Sequence, residues 1–484
     1  MNTQCTSRIQ RGLALCWLAL PLGMGACSSD PVASSGPGAG SGVPGPGAAG
    51  TGTAGPGGAG TGVAGIGVAG IGVAGTGGLP VAGAGPGAGG MGPAGPLGPP
   101  PQVTACAAKT KACTNGKAGK YACKAVDLLA YVDAKDMQGP QVNDIWGWED
   151  PMTGTEYALV CLDNGMAFVD ISNPCEPLFL GQLRGHGGMV SKWRDVKVFK
   201  DHAFIVADSA GNHGLQVFDL TQLRNVTAPP MSFQETAHLA SFPDAHNIGL
   251  NEESGFAYAV SAGGCAVRMI DVNDPLNPRD VGCYGTTGRG THDIQCVNYK
   301  GPDAAYAGKE ICLSSARSGL QIDDVSDKTN VVKIGEVTYP NASTVHQGWL
   351  TEDHQYFLLG DEGDESTHQV KTTTYILDVR QLAMPKVIGK YVARTPAIDH
   401  NLYIKGTYAY QANYAAGLRI LDISNIAMGK LKEVAFFDSF PPNNAASFDG
   451  VWSVYPFFRS GIVVLSGNHL WVLYPTGLTQ TAPF

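Results

Sequence analysis

Four histidines occupy matching places in a repeating chain: His246, His292, His346 and His400. Each directly precedes a polar residue (Asn247, Asp293, Gln347 and Asn401) that opens a short, mostly apolar run. Three more repeats put Asn143, Arg194 and Trp452 in the histidine column, ahead of Asp144, Asp195 and Ser453. Imidazole suits zinc, copper, iron or nickel, so several at one place can hold a transition metal. A metal with an open position can activate water or oxygen. The pattern also has a plainer use. A histidine followed by Asp, Asn or Gln can hydrogen-bond the loops that join repeats, and every repeat meets that same packing problem. Against a purely structural role, three repeats lack the histidine. Both readings stand at the level of sequence.

Turns near these repeats carry further polar groups: Arg317, Asp361, Glu362, Asp364, Glu365, Asn413 and Tyr414. Together with Arg194 they are candidates for orienting a polar ligand. The acidic turn Asp361-Glu362-Gly363-Asp364-Glu365 offers hard oxygen ligands for calcium. It does not follow the EF-hand pattern, and a solvated turn is the simpler reading. No Gly-x-Ser-x-Gly elbow, phosphate loop or HExxH helix is present, which weakens the familiar hydrolase and nucleotide chemistries. No catalytic residue is assigned, and the cofactor expectation stops at a transition metal or calcium.

Twelve cysteines in the chain indicate an oxidising compartment. Their spacing suggests the pairs Cys113–Cys123, Cys161–Cys175, Cys265–Cys283 and Cys296–Cys312, with Cys106 left over. None has the CxxC spacing of a redox or zinc site, so structural bridges are expected.

The elements that must position these groups are β-strands. Apolar runs recur about every 50 residues, a repeat-protein period. They are Met166–Asp170, Leu215–Asp219, Val267–Asp271, Leu320–Asp324, Thr374–Asp378, Leu418–Asp422 and Leu470–Leu473. Most end in Asp, and each follows another β-rich run, such as Tyr157–Leu162 or Phe256–Val260. Turns such as Asp163-Asn164-Gly165 join several pairs into hairpins. A third strand opens each repeat at the histidine column. A fourth follows six of the seven hairpins. Val126–Val132 has the same character and precedes the first repeat, so it should complete the last one. That closure leaves no unpaired sheet edge at the join. The expected fold is all-β: a seven-bladed β-propeller of four-stranded blades over residues 105–484, closed by an N-terminal strand. The histidines should then gather at one mouth of the central channel.

At this level the chain resembles a known family. The stretches Tyr157-Ala-Leu-Val160, Ala167-Phe-Val-Asp-Ile171, Trp193-Arg-Asp-Val196, Ala245-His-Asn-Ile248, Thr291-His-Asp-Ile294, His346-Gln-Gly-Trp349 and Asp399-His-Asn401 look like LVIVD repeats. From about Cys113 onward the head resembles the bacterial "choice-of-anchor B" proteins. The resemblance implies a propeller on exported proteins with varied anchors. It implies no particular chemistry.

The N-terminal part fits export. Arg8 and Arg11 precede the apolar run Leu13–Leu22, which is too short to span a bilayer and reads as a signal peptide. Met24-Gly25-Ala26-Cys27 resembles a lipobox, so residues 1–27 are read as a lipoprotein signal with lipidation at Cys27. Residues 28–104 are nearly all Gly, Ala, Pro, Val, Thr and Ser, and are expected to be a disordered linker. A Gly-rich coil of that length averages roughly 45–50 Å end to end, enough to hold a head clear of a membrane. The expected location is the outer membrane or cell surface, with the membrane reached through the lipid. A net charge of −9 with 15% charged residues argues against nucleic acid as a partner. Two function classes remain. One is a binding module that takes a protein, glycan or small ligand on its loop face. The other is a metal-dependent enzyme using the histidines.

Overall fold

The computed structural model describes residues 106, 109–285, 290–316 and 318–478. The expected signal peptide, Cys27, the linker and Arg317 lie outside the described residues. Seven antiparallel sheets form the blades. Their first strands are Val142–Glu149, Arg194–Phe199, Asn247–Asn251, Thr291–Asn298, Val345–Leu350, Leu402–Lys405 and Val451–Tyr455, here blades 1 to 7. Each first strand lies beside that of the next blade, and the last lies beside the first. Val126–Asp133 pairs antiparallel with His469–Pro475 and supplies the outer strand of blade 7, as the sequence led us to expect.

Two features extend the four-stranded plan. Met231–Phe233 adds a fifth, parallel strand to blade 1. The hairpin of Lys117–Ala118 and Tyr121–Lys124 widens blade 6 to six strands. Both are short and lack the repeated signature, so neither stands out in the sequence.

The repeated Asp at the end of each third strand has a local cause. Its carboxylate accepts the N–H two residues on, as in Asp170 with Ser172 at 2.8 Å and Asp422 with Ser424 at 2.8 Å. Asp219, Asp271, Asp324 and Asp378 do the same with Thr221, Asn273, Ser326 and Arg380. This Asx turn ends the strand. It also drops the next apolar residue (Ile171, Leu220, Val272, Val325, Val379 or Ile423) into the core, where each is buried. A register shift then recurs between the third and fourth strands, at Phe168/Val169, Met269/Ile270, Ile322/Asp323, Ile376/Leu377 and Ile420/Leu421. Such bulges increase local twist, which lets flat hairpins become twisted blades.

Polar side chains in the channel join one blade to the next. Asp195 accepts the N–H of Val196 at 2.7 Å and, from blade 3, that of Ile248 at 2.9 Å. Gln295 accepts Leu350 N–H and Gln347 accepts Leu402 N–H, each at 2.8 Å. A structural use of the polar column is thus real in these blades.

The disulfides are Cys106–Cys175, Cys113–Cys123, Cys265–Cys283 and Cys296–Cys312. The expected Cys161–Cys175 pair is corrected: Cys161 is a buried free thiol, and Cys106 takes Cys175. The register explains it. Cys161 faces Met166 next to the hairpin turn, whereas Cys175 lies beyond Asp170, which pairs with Tyr157 at the far end of the same hairpin. Four residues of strand, roughly 13 Å, separate the two ends. A bridge needs Cα atoms within about 7 Å. Alkylation under denaturing, non-reducing conditions followed by peptide mapping should label Cys161 and recover Cys106 cross-linked to Cys175. Recovery of a Cys161–Cys175 peptide would contradict this fold.

Arg224, beyond the third strand of blade 2, joins blade 1 by donating through Nε and Nη2 to Asp150, at 2.8 and 2.7 Å. Burial raises the Asp150 pKa, but Arg224, Met152 N–H and Thr153 outweigh it and bring it from 3.8 down to about 2. A depressed carboxyl stabilises the fold above its unfolded pKa and loses that contribution as pH falls through the folded one. The gap in urea stability between wild type and Asp150→Asn should therefore be full at neutral pH and close as pH falls from 3.8 to about 2. The titrating part is about 2 kcal/mol.

Candidate metal centre

The linking loops deliver the four histidines to one mouth of the channel. His292 and His346 lie where the first strand bulges against the second, at Thr291/Asp293 and Val345/Gly348. A bulge re-aims the side chains it carries. His246 and His400 each sit just ahead of a first strand and are held by backbone bonds, to Val260 O at 2.9 Å and Ala412 O at 3.1 Å. The rings form a row. Centroids are 4.3 Å apart for His246–His292, 4.0 Å for His292–His346 and 4.1 Å for His346–His400.

Hydrogen bonds set the tautomers at both ends of the row. His400 donates from Nδ1 to the Trp452 carbonyl at 2.5 Å, so its Nε2 keeps the lone pair. His246 Nδ1 meets Asp208 Oδ2 at 2.8 Å, and its Nε2 lies 2.9 Å from His292 Nε2. With Nδ1–H on Asp208, neutral His246 accepts from His292 Nε2–H, which leaves Nδ1 as the basic nitrogen of His292.

Glu362, in the turn after the second strand of blade 5, completes the cluster. Its Oε2 lies 3.7 Å from His346 Nε2, and its Oε1 lies 3.7 Å from His400 Nε2. The Tyr414 hydroxyl donates to Oε1 at 2.8 Å. Tyr414 holds a positive φ of 21°, an uncommon conformation for a residue with a side chain. Burial lowers the His346 pKa well below 6.5, and the neighbouring histidines add to this. Burial brings His400 down to about 3. Both imidazoles are therefore neutral at physiological pH, the form that binds metals. Burial raises Glu362 to about 7, against the Tyr414 hydrogen bond and the charge of His246. Ligand atoms of His292, His346 and Glu362 all lie within 4.8 Å of one another. Two imidazoles and one carboxylate form a ligand set that can take a transition metal and leave other positions open.

The other candidates separate from this group. Arg194 is buried, donating to Leu162 O and Met189 O and meeting His213 Nε2 at 2.7 Å, all in the wall between blades 1 and 2. Burial lowers its pKa to about 10. Asp361 is consumed by its own turn, accepting from Tyr339 OH and from the N–H groups of Ser343, Thr344 and Gly363. Asp364 and Glu365 are buried rather than solvated, and their charges act on Asp399 and each other. Asn413 is buried at the end of its strand in blade 6. Sequence reasoning did not single out Asp208 or Asp399. The only signal for Asp399 was its place directly before His400.

Among known proteins, the architecture defines the class first: a closed seven-bladed β-propeller. Within it, the LVIVD repeat family matches residues 155–184 and 400–434, so blades 1 and 6 carry recognisable LVIVD repeats. No curated protein matches the sequence. Similar solved structures include a protein from Lactobacillus plantarum, at 12% identity and TM-score 0.44 over 62% of this chain and 84% of that one. Hydrazine synthase of Kuenenia stuttgartiensis shows 12% identity and TM-score 0.46 over 67% and 93%. A functionally unknown protein from Desulfotomaculum acetoxidans shows 12% and 0.43 over 64% and 89%. Likeness at this level transfers no property to this chain.

Replacing Tyr414 by Phe removes the one hydroxyl donor to buried Glu362 Oε1. The expected cost is about 1–3 kcal/mol, read as a lower urea midpoint with an unchanged m value. An unchanged midpoint would mean that the hydrogen bond does not hold Glu362.

Proposed function

We propose that this chain is an exported, lipid-anchored protein whose propeller holds one transition-metal ion at the channel mouth, on His292, His346 and Glu362, and uses it on a small polar substrate. The observation that carries the reading is the convergence of these three ligand atoms within 4.8 Å. Two neutral imidazoles and a carboxylate suit iron(II), zinc or copper. A metal so held supplies Lewis acidity or an activated water when bound. The residues of this chain orient it: Tyr414 turns Glu362, and His246 fixes the tautomer of His292. Four disulfides support an oxidising compartment outside the cytoplasm. Lipidation at Cys27 and the Gly-rich tether belong to the same proposal.

A second reading keeps the loop face as a metal-free binding surface for a protein or glycan. It is favoured by His246 and His400, which already use Nδ1 on Asp208 and Trp452 O and so tie two of the four rings into the wall. Elemental mass spectrometry on the purified full-length protein separates the readings. Wild type should carry close to one equivalent of iron, zinc or copper. His292→Ala/His346→Ala should carry almost none while keeping its β-sheet circular dichroism. Tyr414→Phe should weaken metal affinity by roughly 10–100-fold, the usual effect of losing a group that orients a ligand. A wild type that stays empty after reconstitution, with a double variant that melts early, would make the row structural.

A further inference from the structure

We propose a second cation site, for calcium, in the wedge between blades 5 and 6, held by Asp364, Glu365, Asp399 and the side-chain oxygen of Gln411. It is separate from the histidine row and does not rest on the transition-metal reading.

The starting observation is a set of buried acceptors with nothing to accept. Asp364 Oδ1, both carboxylate oxygens of Glu365 and both of Asp399 lack a hydrogen-bond donor. The three residues are only 3%, 2% and 2% exposed. Among the described residues none of the three makes an ion pair, whereas Asp361 in the same turn is fully used by four donors. A lone acidic turn would face water. Here the turn is covered, and a carboxylate from a distant segment joins it.

Two placements show that blade 6 contributes to the same wedge. Asp399 Oδ2 presses on Gly360, where a Cβ would meet it at 2.5 Å. Gly360 stands one step beyond the Leu359–Tyr375 pair, and so lies opposite Thr374 in blade 5. Gln411, in the second strand of blade 6, donates from Nε2 to that Thr374 hydroxyl at 2.7 Å. Its Oε1 is left buried without a partner. Asp399 and Gln411 thus reach the same Gly360–Thr374 step from the neighbouring blade, and the acidic turn closes over it.

The chemistry of the missing partner follows. Every open atom is an oxygen acceptor, and no imidazole or thiol is among them. Buried carboxylates without a counter-charge are strongly unfavourable, so they must hold protons or a cation. Carboxylate and amide oxygens are hard ligands of the kind calcium takes, in variable number and with flexible geometry. Glycine at 360 fits this arrangement, because any side chain there would displace the Asp399 carboxylate.

Calorimetric titration of the EDTA-stripped full-length protein with calcium chloride at neutral pH tests the proposal. A melting curve with and without calcium should accompany it. Wild type should bind one calcium and melt several degrees higher. Glu365→Gln/Asp399→Asn should lose both responses and keep its transition metal. His292→Ala/His346→Ala should keep calcium. A wild type with neither heat nor shift in melting temperature would overturn the site without reference to any variant. So would a calcium response that survives intact in Glu365→Gln/Asp399→Asn. A neutralised variant more stable than a calcium-insensitive wild type would show that the carboxyls hold protons instead.

Discussion

The inner edge of every blade presents unpaired backbone N–H groups to a narrow channel, and these must be satisfied where no further strand can pair. Side chains do this work. Asp144, Asp195 and Asp293 each accept the N–H of the following residue, at 2.6, 2.7 and 2.5 Å. Asp195, Gln295 and Gln347 reach across to the next blade's first strand. An unsatisfied buried N–H costs about 1–3 kcal/mol, so these polar residues are needed for closure. The cost of this solution is a channel lined with carboxylates. Lys197 answers part of it, with Nζ 2.7 Å from Asp195 Oδ1 and 4.6 Å above the Trp146 ring.

The histidine row grows from the same constraint. One residue before each polar acceptor, the chain leaves its linking loop and turns into the channel. Whatever stands there is brought against its counterparts from the adjacent blades. Asn143 and Arg194 use the position to tie down hairpins, through Asp163 and Leu162 O. In blades 3 to 6 the position holds imidazoles, which lie ring to ring. The symmetry of the fold thus creates a cluster that no local segment contains. Glu362 then breaks the symmetry, because only blade 5 follows its second strand with a long acidic turn.

Much of this was legible in the residues. The Asp that ends each third strand marked the blades because its turn is local, set by an N–H two residues on. Circular closure was legible because the six fourth strands left Val126–Asp133 as the remaining partner. The histidine column was legible by alignment. The role of Glu362 was less so: it stood among polar turn residues with nothing to separate it from Asp361. Their difference is that Asp361 faces its own turn and Glu362 faces blade 6, where Tyr414 meets it. The cysteine pairing failed for a related reason. Cys161 and Cys175 are near in sequence but lie at opposite ends of one hairpin, while Cys106 reaches Cys175 from a sequence separation of 69.

The sequence by itself determined the repeat, the strand order within each blade, the closure and the column of imidazoles. All of these follow from periodicity and turn chemistry, which act over a few residues. Tertiary structure alone decided which carboxylate joins the imidazoles and which cysteine is free. It also decided that the acidic turn is covered by Asp399 and Gln411. Those outcomes depend on which faces of neighbouring blades meet, and blade contacts join residues about 50 positions apart. Strand twist and bulges set those contacts, and no short pattern in the chain records them.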